Sequence, residues 1–133
     1  MKLTRASNYA LHALEYLAAR GQDTPVPSHH IAEARGIPER FLLGVLRLLV
    51  SAQIVLSLKG PHGGYQLARP AAKVTLLEVV EAVEGSIRGE APVVSQTGGG
   101  LDARLREVCE EVAGLVRRRL GRVRLSDLAG GAE

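Results

Sequence analysis

Cysteine, tryptophan and long apolar runs are what this chain has least of. Cys109 is the only cysteine among 133 residues, which excludes an intrachain disulfide and any cluster or zinc site held by several cysteines of one chain. Tryptophan is absent and the aromatics are Phe41, Tyr9, Tyr16 and Tyr65, so a core has to be built from leucine, valine and alanine. No stretch approaches the roughly 18 consecutive apolar residues that a membrane span needs. The opening MKLTRASNYA is not followed by the continuous apolar run of a signal peptide. The expectation is a soluble, cytoplasmic protein.

What the chain does have is 46% hydrophobic residues, enough for one domain with an appended element. Its charge is unevenly divided. Up to Lys73 nine basic residues face four acidic ones, a balance of +5, while the remainder carries eight basic against ten acidic, a balance of −2. A basic half joined to a mildly acidic half points to a polyanion-facing module with something attached.

Apolar residues recur at helical spacing from Ala6 to Ala19, through Tyr9, Ala10, Ala13, Leu14 and Leu17. Gly21 ends this first helix, and Pro25 and Pro27 fix a loop. Ser28 is the expected N-cap of a short helix His29–Arg35, which Gly36 stops. Ile37 and Pro38 turn into a third helix, Glu39–Ser51, with Phe41, Leu42, Val45, Leu46 and Leu49 as its expected core face. Helix, glycine-containing turn, helix is the helix-turn-helix signature. Ile54–Leu58 and Tyr65–Ala68 are β-prone, with three glycines and a proline in Lys59–Gly64 between them, which predicts a hairpin with a side-chain-poor tip. Thr75 caps a fourth helix, Leu76–Val83, closed by Gly85. From Leu101 the apolar residues Leu101, Leu105, Val108, Val112 and Leu115 step by four and three, the seam of a helix that packs on another helix. Two heptads also suit an ordinary core-facing helix, and packing between subunits is the reading preferred. Leu125–Ala129 is a short final turn. The division expected is a DNA-facing domain over 1–85, a connector over 86–100 and a dimerisation segment over 101–133.

A polyanion site needs cations where a helix can enter a groove. Glu39, Arg40, Leu43, Gly44 and Arg47 share the third helix's outward face. Arg40 stands in the first turn, the part of a recognition helix that reaches base edges, where an arginine can fork onto guanine O6 and N7. The tip Lys59-Gly60-Pro61-His62-Gly63-Gly64 fits a wing, its glycines letting backbone approach phosphate, although a plain tight hairpin explains them too. Catalysis has little support. Glu78, Glu81 and Glu84 read as a solvated acidic face. His29 and His30 are adjacent, so their side chains diverge by about a hundred degrees around a helix and are poorly placed to chelate. No nucleophile–base pair follows from spacing.

The segments MKLTRASNYALHALEYLA, VPSHHIAEARGIPERFL and LKGPHGGYQLARPAAKVTLLEVVEAVEG closely resemble the bacterial winged-helix repressors that include the iron–sulfur cluster biogenesis regulator, the nitric-oxide-sensing repressor and the cysteine-metabolism repressor. The resemblance is strong over 1–85 and weaker over 101–128. It implies a mainly α fold with a small β-hairpin wing and a long C-terminal dimerisation helix. It implies further a homodimer that binds double-stranded DNA at a pseudo-palindromic operator. Matched onto this chain, the contacts would come from Thr4, Arg5, Ser28, Glu39, Arg40 and Lys59–Gly63, which includes Gly60, His62 and Gly63. Leu43 stands where relatives often carry a polar or acidic base-reading residue, so its reach is limited to a thymine methyl. Leu48 and Val50 are also more apolar than expected.

The larger departure is the sensor. Cluster-binding relatives carry three cysteines between the fourth helix and the dimer helix, where this chain reads SIRGEAPVVSQTGGGLDAR. Cys109 lies about two turns beyond the place of the third. The expectation is a repressor with no cofactor and no metal. Two alternatives stay open: an atypical intersubunit site drawing on Asn8, His12, Glu90 and Cys109, or a protein-interaction module that uses the acidic fourth helix.

Overall fold

Thr4 is extended (φ −74°, ψ 163°) and its hydroxyl accepts from the Ser7 amide at 3.1 Å, which starts helix α1, Arg5–Arg20, with the side-chain N-cap such a start requires. The computed structural model describes residues 1–92 and 99–129. Part of the connector expected at 86–100, residues 93–98, and the tail 130–133 lie outside the described residues.

Helix α2 runs Ser28–Arg35 and α3 Glu39–Ser51. Gly36 adopts the left-handed conformation (φ 64°) that ends α2, and that conformation carries a penalty for residues with a Cβ. A hairpin follows, β1 Val55–Leu58 and β2 Gly64–Leu67, paired antiparallel from Val55 opposite Leu67 to Leu58 opposite Gly64. After a 3₁₀ turn at Ala71–Lys73 come α4, Leu76–Glu84, and α5, Gly99–Leu120, and finally α6, Leu125–Ala129. The fold is the mainly helical, winged arrangement with a long C-terminal helix that the sequence pattern predicts.

Leu14 and Leu17 of α1, Ile31 of α2, Leu42, Leu46 and Leu49 of α3, Ile54 and Val55 of the hairpin and Val79 of α4 form one aliphatic core. Burial of side chains this size stabilises by about 1.5–3 kcal/mol each. Leu125 of α6 belongs to the same core. The backbone around it is paired with the start of α4: Leu125 N donates to the Val74 carbonyl at 2.8 Å and Leu76 N to the Val123 carbonyl at 2.8 Å.

Three expectations need correction. Ser28 is not an N-cap: Pro27, extended at φ −61° and ψ 146°, takes that place without any side-chain bond, and Ser28 is the first helical residue. Phe41 is not core but 54% exposed, because one turn of α3 already fills the interior with Leu42, Val45 and Leu46. The acidic face of α4 is not simply solvated. Glu78 closes a capping box with Thr75 and pairs with Arg69 at 2.9 Å. Glu81 accepts from the Ile87 amide at 3.0 Å, and Glu84 binds Thr4 and Ser7. Burial pushes the Glu78 carboxyl up, but the bonds from Arg69 and Thr75 outweigh it and hold it below its ordinary value.

Candidate nucleic-acid interface

The amphipathic pattern of α3 decides what it can present. With Leu42, Val45, Leu46 and Leu49 buried, Glu39, Arg40, Leu43 and Arg47 are left exposed on the opposite side. Leu43 is 38% exposed. The Ser28 hydroxyl donates to Glu39 Oε2 at 2.7 Å, tying the first residue of α2 to the first of α3 and fixing the carboxylate at the entrance of the helix. Arg40 reaches outward past its neighbour, its guanidinium carbon 5.3 Å from the Phe41 ring centroid. The exposed aromatic thus gives Arg40 a stacking surface, a role that periodicity alone assigned to the core.

The start of α1 and the first turns of α3 share a cleft of about 220 Å³ lined by Arg5, Ala6, Tyr9, Phe41 and Val45. Arg5 and Phe41, the neighbour of Arg40, therefore stand on one side of the molecule. The wing joins the loop that leads into α2 through a bridge between Val26 and Tyr65, whose amides and carbonyls exchange bonds of 2.8 Å each way. Its tip turns on Gly60 (φ 104°), with Gly63 N donating to the Gly60 carbonyl at 3.0 Å. Lys59, Gly60, Pro61 and His62 are exposed. A Cβ on Gly63 would run into the Leu58 carbonyl, so close chain packing, and not phosphate approach alone, requires this glycine.

The effector candidates fall in two places. Asn8 and His12 line a cleft of about 180 Å³ with Glu15, Leu11, Leu125 and Leu128. His12 Nδ1 lies 3.2 Å from Arg35 Nη1, and an arginine only donates, so the imidazole accepts there. Arg35 also pairs with Glu15 at 2.6 Å. Glu90 and Cys109 line a separate cavity of about 450 Å³ with Lys2, Glu84, Arg88 and Val108. Within one protomer the two pairs do not meet. His29 and His30 do stay in touch, with ring centroids 4.4 Å apart and edge to face, so the expected divergence does not separate their rings.

Residues 3–131 match the profile of the Rrf2 family, described as an iron-dependent transcriptional regulator. The chain belongs to the Rrf2 family. It is a DNA-binding transcriptional regulator and not an enzyme. Among its relatives is a protein of Mycobacterium tuberculosis provisionally named the HTH-type transcriptional regulator Rv1287, 32% identical over 99% of this chain and 83% of that protein. Among solved structures, the IscR protein of T. potens superposes with a TM-score of 0.77 at 26% identity, over 100% of this chain and 89% of that one. CymR, the global cysteine regulator of B. subtilis, superposes with a TM-score of 0.80, over 100% of this chain and 99% of that one, and at 23% identity it supports the fold alone.

The iron dependence in the family's description does not fit the residues of this Rrf2 chain. Its only cysteine is Cys109, and among the described residues no three histidine, cysteine or acidic side chains come together as a ligand set. Iron–sulfur clusters are held largely by thiolates, and one thiol per chain cannot supply them. Arg69, Glu110 and Arg117 were outside expectation, as were the partners of Glu84, and contacts such as Glu84 to Thr4 and Arg117 to Ile87 span 80 and 30 positions, where spacing carries no signal.

Proposed function

We propose that this Rrf2 protein is a homodimeric repressor that reads a pseudo-palindromic operator in the cytoplasm. Glu39 and Arg40 give sequence preference, Leu43 meets a thymine methyl, and Arg5, Arg47 and Lys59 give affinity. Thr4, Ser28, Gly60, His62 and Gly63 complete the contact surface on the duplex backbone. The observation that carries this reading is the outward face of α3, which leaves Glu39, Arg40, Leu43 and Arg47 exposed on a helix that shares a cleft with the start of α1. Residues 1–85 are the DNA-binding unit, 86–100 the connector and 101–133 the dimerisation segment. The seam residues Leu101, Leu105, Val108, Val112 and Leu115 of α5 are 45–58% exposed in the single chain, an apolar stripe suited to a second copy of the same helix.

Selection of genomic fragments by the purified protein, followed by gel shift, tests the proposal. An enriched two-fold-related sequence is expected, with binding that weakens steeply as salt rises because phosphate contacts release counterions. Arg40→Ala is expected to cost roughly 10- to 100-fold on that sequence, and Lys59→Ala to weaken all duplexes alike and lower the salt slope by about one, both with the dimer intact. Equal binding to random duplex, with nothing enriched, would sink the reading.

A further inference from the structure

Between α4 and α5 the described chain, Glu84 to Glu90, is fastened at both ends. At its start, Glu84 Oε2 accepts from the Thr4 amide at 3.0 Å, from the Thr4 hydroxyl at 2.9 Å and from the hydroxyl of Ser7. Ser7 is the buried polar residue of α1, with no exposed surface. At its far end the segment lies on α5. Arg117 donates through Nη1 to the Ile87 carbonyl and through Nη2 to Glu110 Oε1 at 3.1 Å, while Glu110 Oε2 accepts from the Gly89 amide at 3.1 Å. Gly89 lies so close to the helix that a Cβ would run into the backbone of Cys109 and Glu110. Only glycine permits that approach. The Arg117 guanidinium and then the Gly89 amide hold the Glu110 carboxyl below its ordinary value.

We propose that this segment is a metal-free brace through which α5 sets the position of the N-terminus of α1, with Gly89, Glu110 and Arg117 as positioning residues and Glu84 as the link to Thr4 and Arg5. The proposal rests on the reading of Thr4 and Arg5 as DNA contacts. Gly85 ends α4 at φ 90°, so only four residues separate the Glu84 carboxylate from the Gly89 contact, and lifting Gly89 off α5 displaces Glu84. One exposed ion pair is worth little. Here a forked arginine, a carboxylate and a backbone close approach act on the same few residues, and charge-assisted bonds of this kind are directional. The brace also accounts for the misfit with iron: α5 is joined to this segment by its own backbone and by a guanidinium–carboxylate pair, which needs no ligand cysteines.

The test uses the full chain and a duplex enriched by the wild type from random-sequence DNA, titrated with and without EDTA. Gly89→Ala and Glu84→Ala are each expected to weaken binding roughly tenfold and to speed amide exchange at residues 4–8, with the melting transition retained. The double variant is expected to bind no more weakly than either single one, because both break one linkage, whereas two unrelated defects would add. Arg117→Lys, which reaches one of the two acceptors, should fall between wild type and Arg117→Ala. EDTA should leave wild-type affinity within about twofold. Wild-type affinity in Gly89→Ala, additive losses in the double variant, or EDTA-sensitive binding restored by ferrous iron overturns the brace alone. A wild type that enriches no duplex overturns the DNA-contact reading and the brace with it. Should Gly89→Ala lose its fold, Glu84→Ala decides by the same two readouts, affinity and exchange at residues 4–8.

Discussion

Glu84 shows how far a single side chain departs from its sequence pattern. Spacing along α4 puts it with Glu78 and Glu81 on one face, and an acidic face is usually solvated. Its three donors lie 77 and 80 positions away, beyond the reach of any local periodicity. Burial pushes the carboxyl up, but the bonds from Ser7 and Thr4 outweigh it and hold it below its ordinary value of 4.5. The sign follows from linkage. A carboxylate depressed in the folded state contributes stability that is present above 4.5 and lost as the pH falls through the lower folded value. Thermal melts between neutral pH and pH ~3 are therefore expected to show a smaller acid-induced drop for Glu84→Gln than for wild type. An identical drop in both proteins would mean that this carboxylate does not contribute. Phe41 departs from its pattern as well: its hydrophobicity placed it inside, yet α3 had no interior position left for it.

Among the elements, helix ends and the hairpin were legible because their signals are local. Thr75 with Glu78 three residues on is a capping box in the sequence as in the fold, and Gly36 stops α2 by its left-handed backbone. Ser28 misled because a serine before a helix is a common cap, while Pro27 already supplies the extended conformation that the cap position needs. The wing glycines were read correctly as tip residues, but for only part of the reason. Gly63 is packed on the Leu58 carbonyl, so Gly63→Ala is expected to distort the tip and weaken DNA binding by roughly tenfold. The core, which lies beyond Val55 and Leu67 at the hairpin base, should melt within a few degrees of wild type. Gel shift beside calorimetry checks both halves, and a collapse of stability with unchanged DNA affinity would contradict the assignment.

For the molecule as a whole, the step of four and three in α5 survived as an exposed apolar stripe, and it sets the prediction on assembly. Val108 is 56% exposed at the centre of the seam. Val108→Glu buries a charge in the proposed interface, a cost of several kcal/mol without a partner, and is expected to weaken the dimer by about a hundredfold or more. Light scattering at micromolar concentration should then show monomer, and operator binding should fall with it. Invisible in the sequence was where the chain goes next. Leu125–Ala129 read only as a short final turn, yet Leu125 inserts into the core that α1, α3 and the hairpin build.

That insertion bears on the order in which the protein comes into being. The pairing of Val74 with Leu125, and of Leu76 with Val123, is completed only after some fifty further residues have been made. During synthesis, the first 85 residues leave the ribosome with one wall of their interior still missing. By the time Leu125 closes that wall, the whole of α5 is already outside and open to a neighbouring chain. The nascent chain thus completes its core only once the apolar stripe of α5 is out as well, which, on the proposed function, disfavours any interval in which a lone, half-made chain occupies DNA.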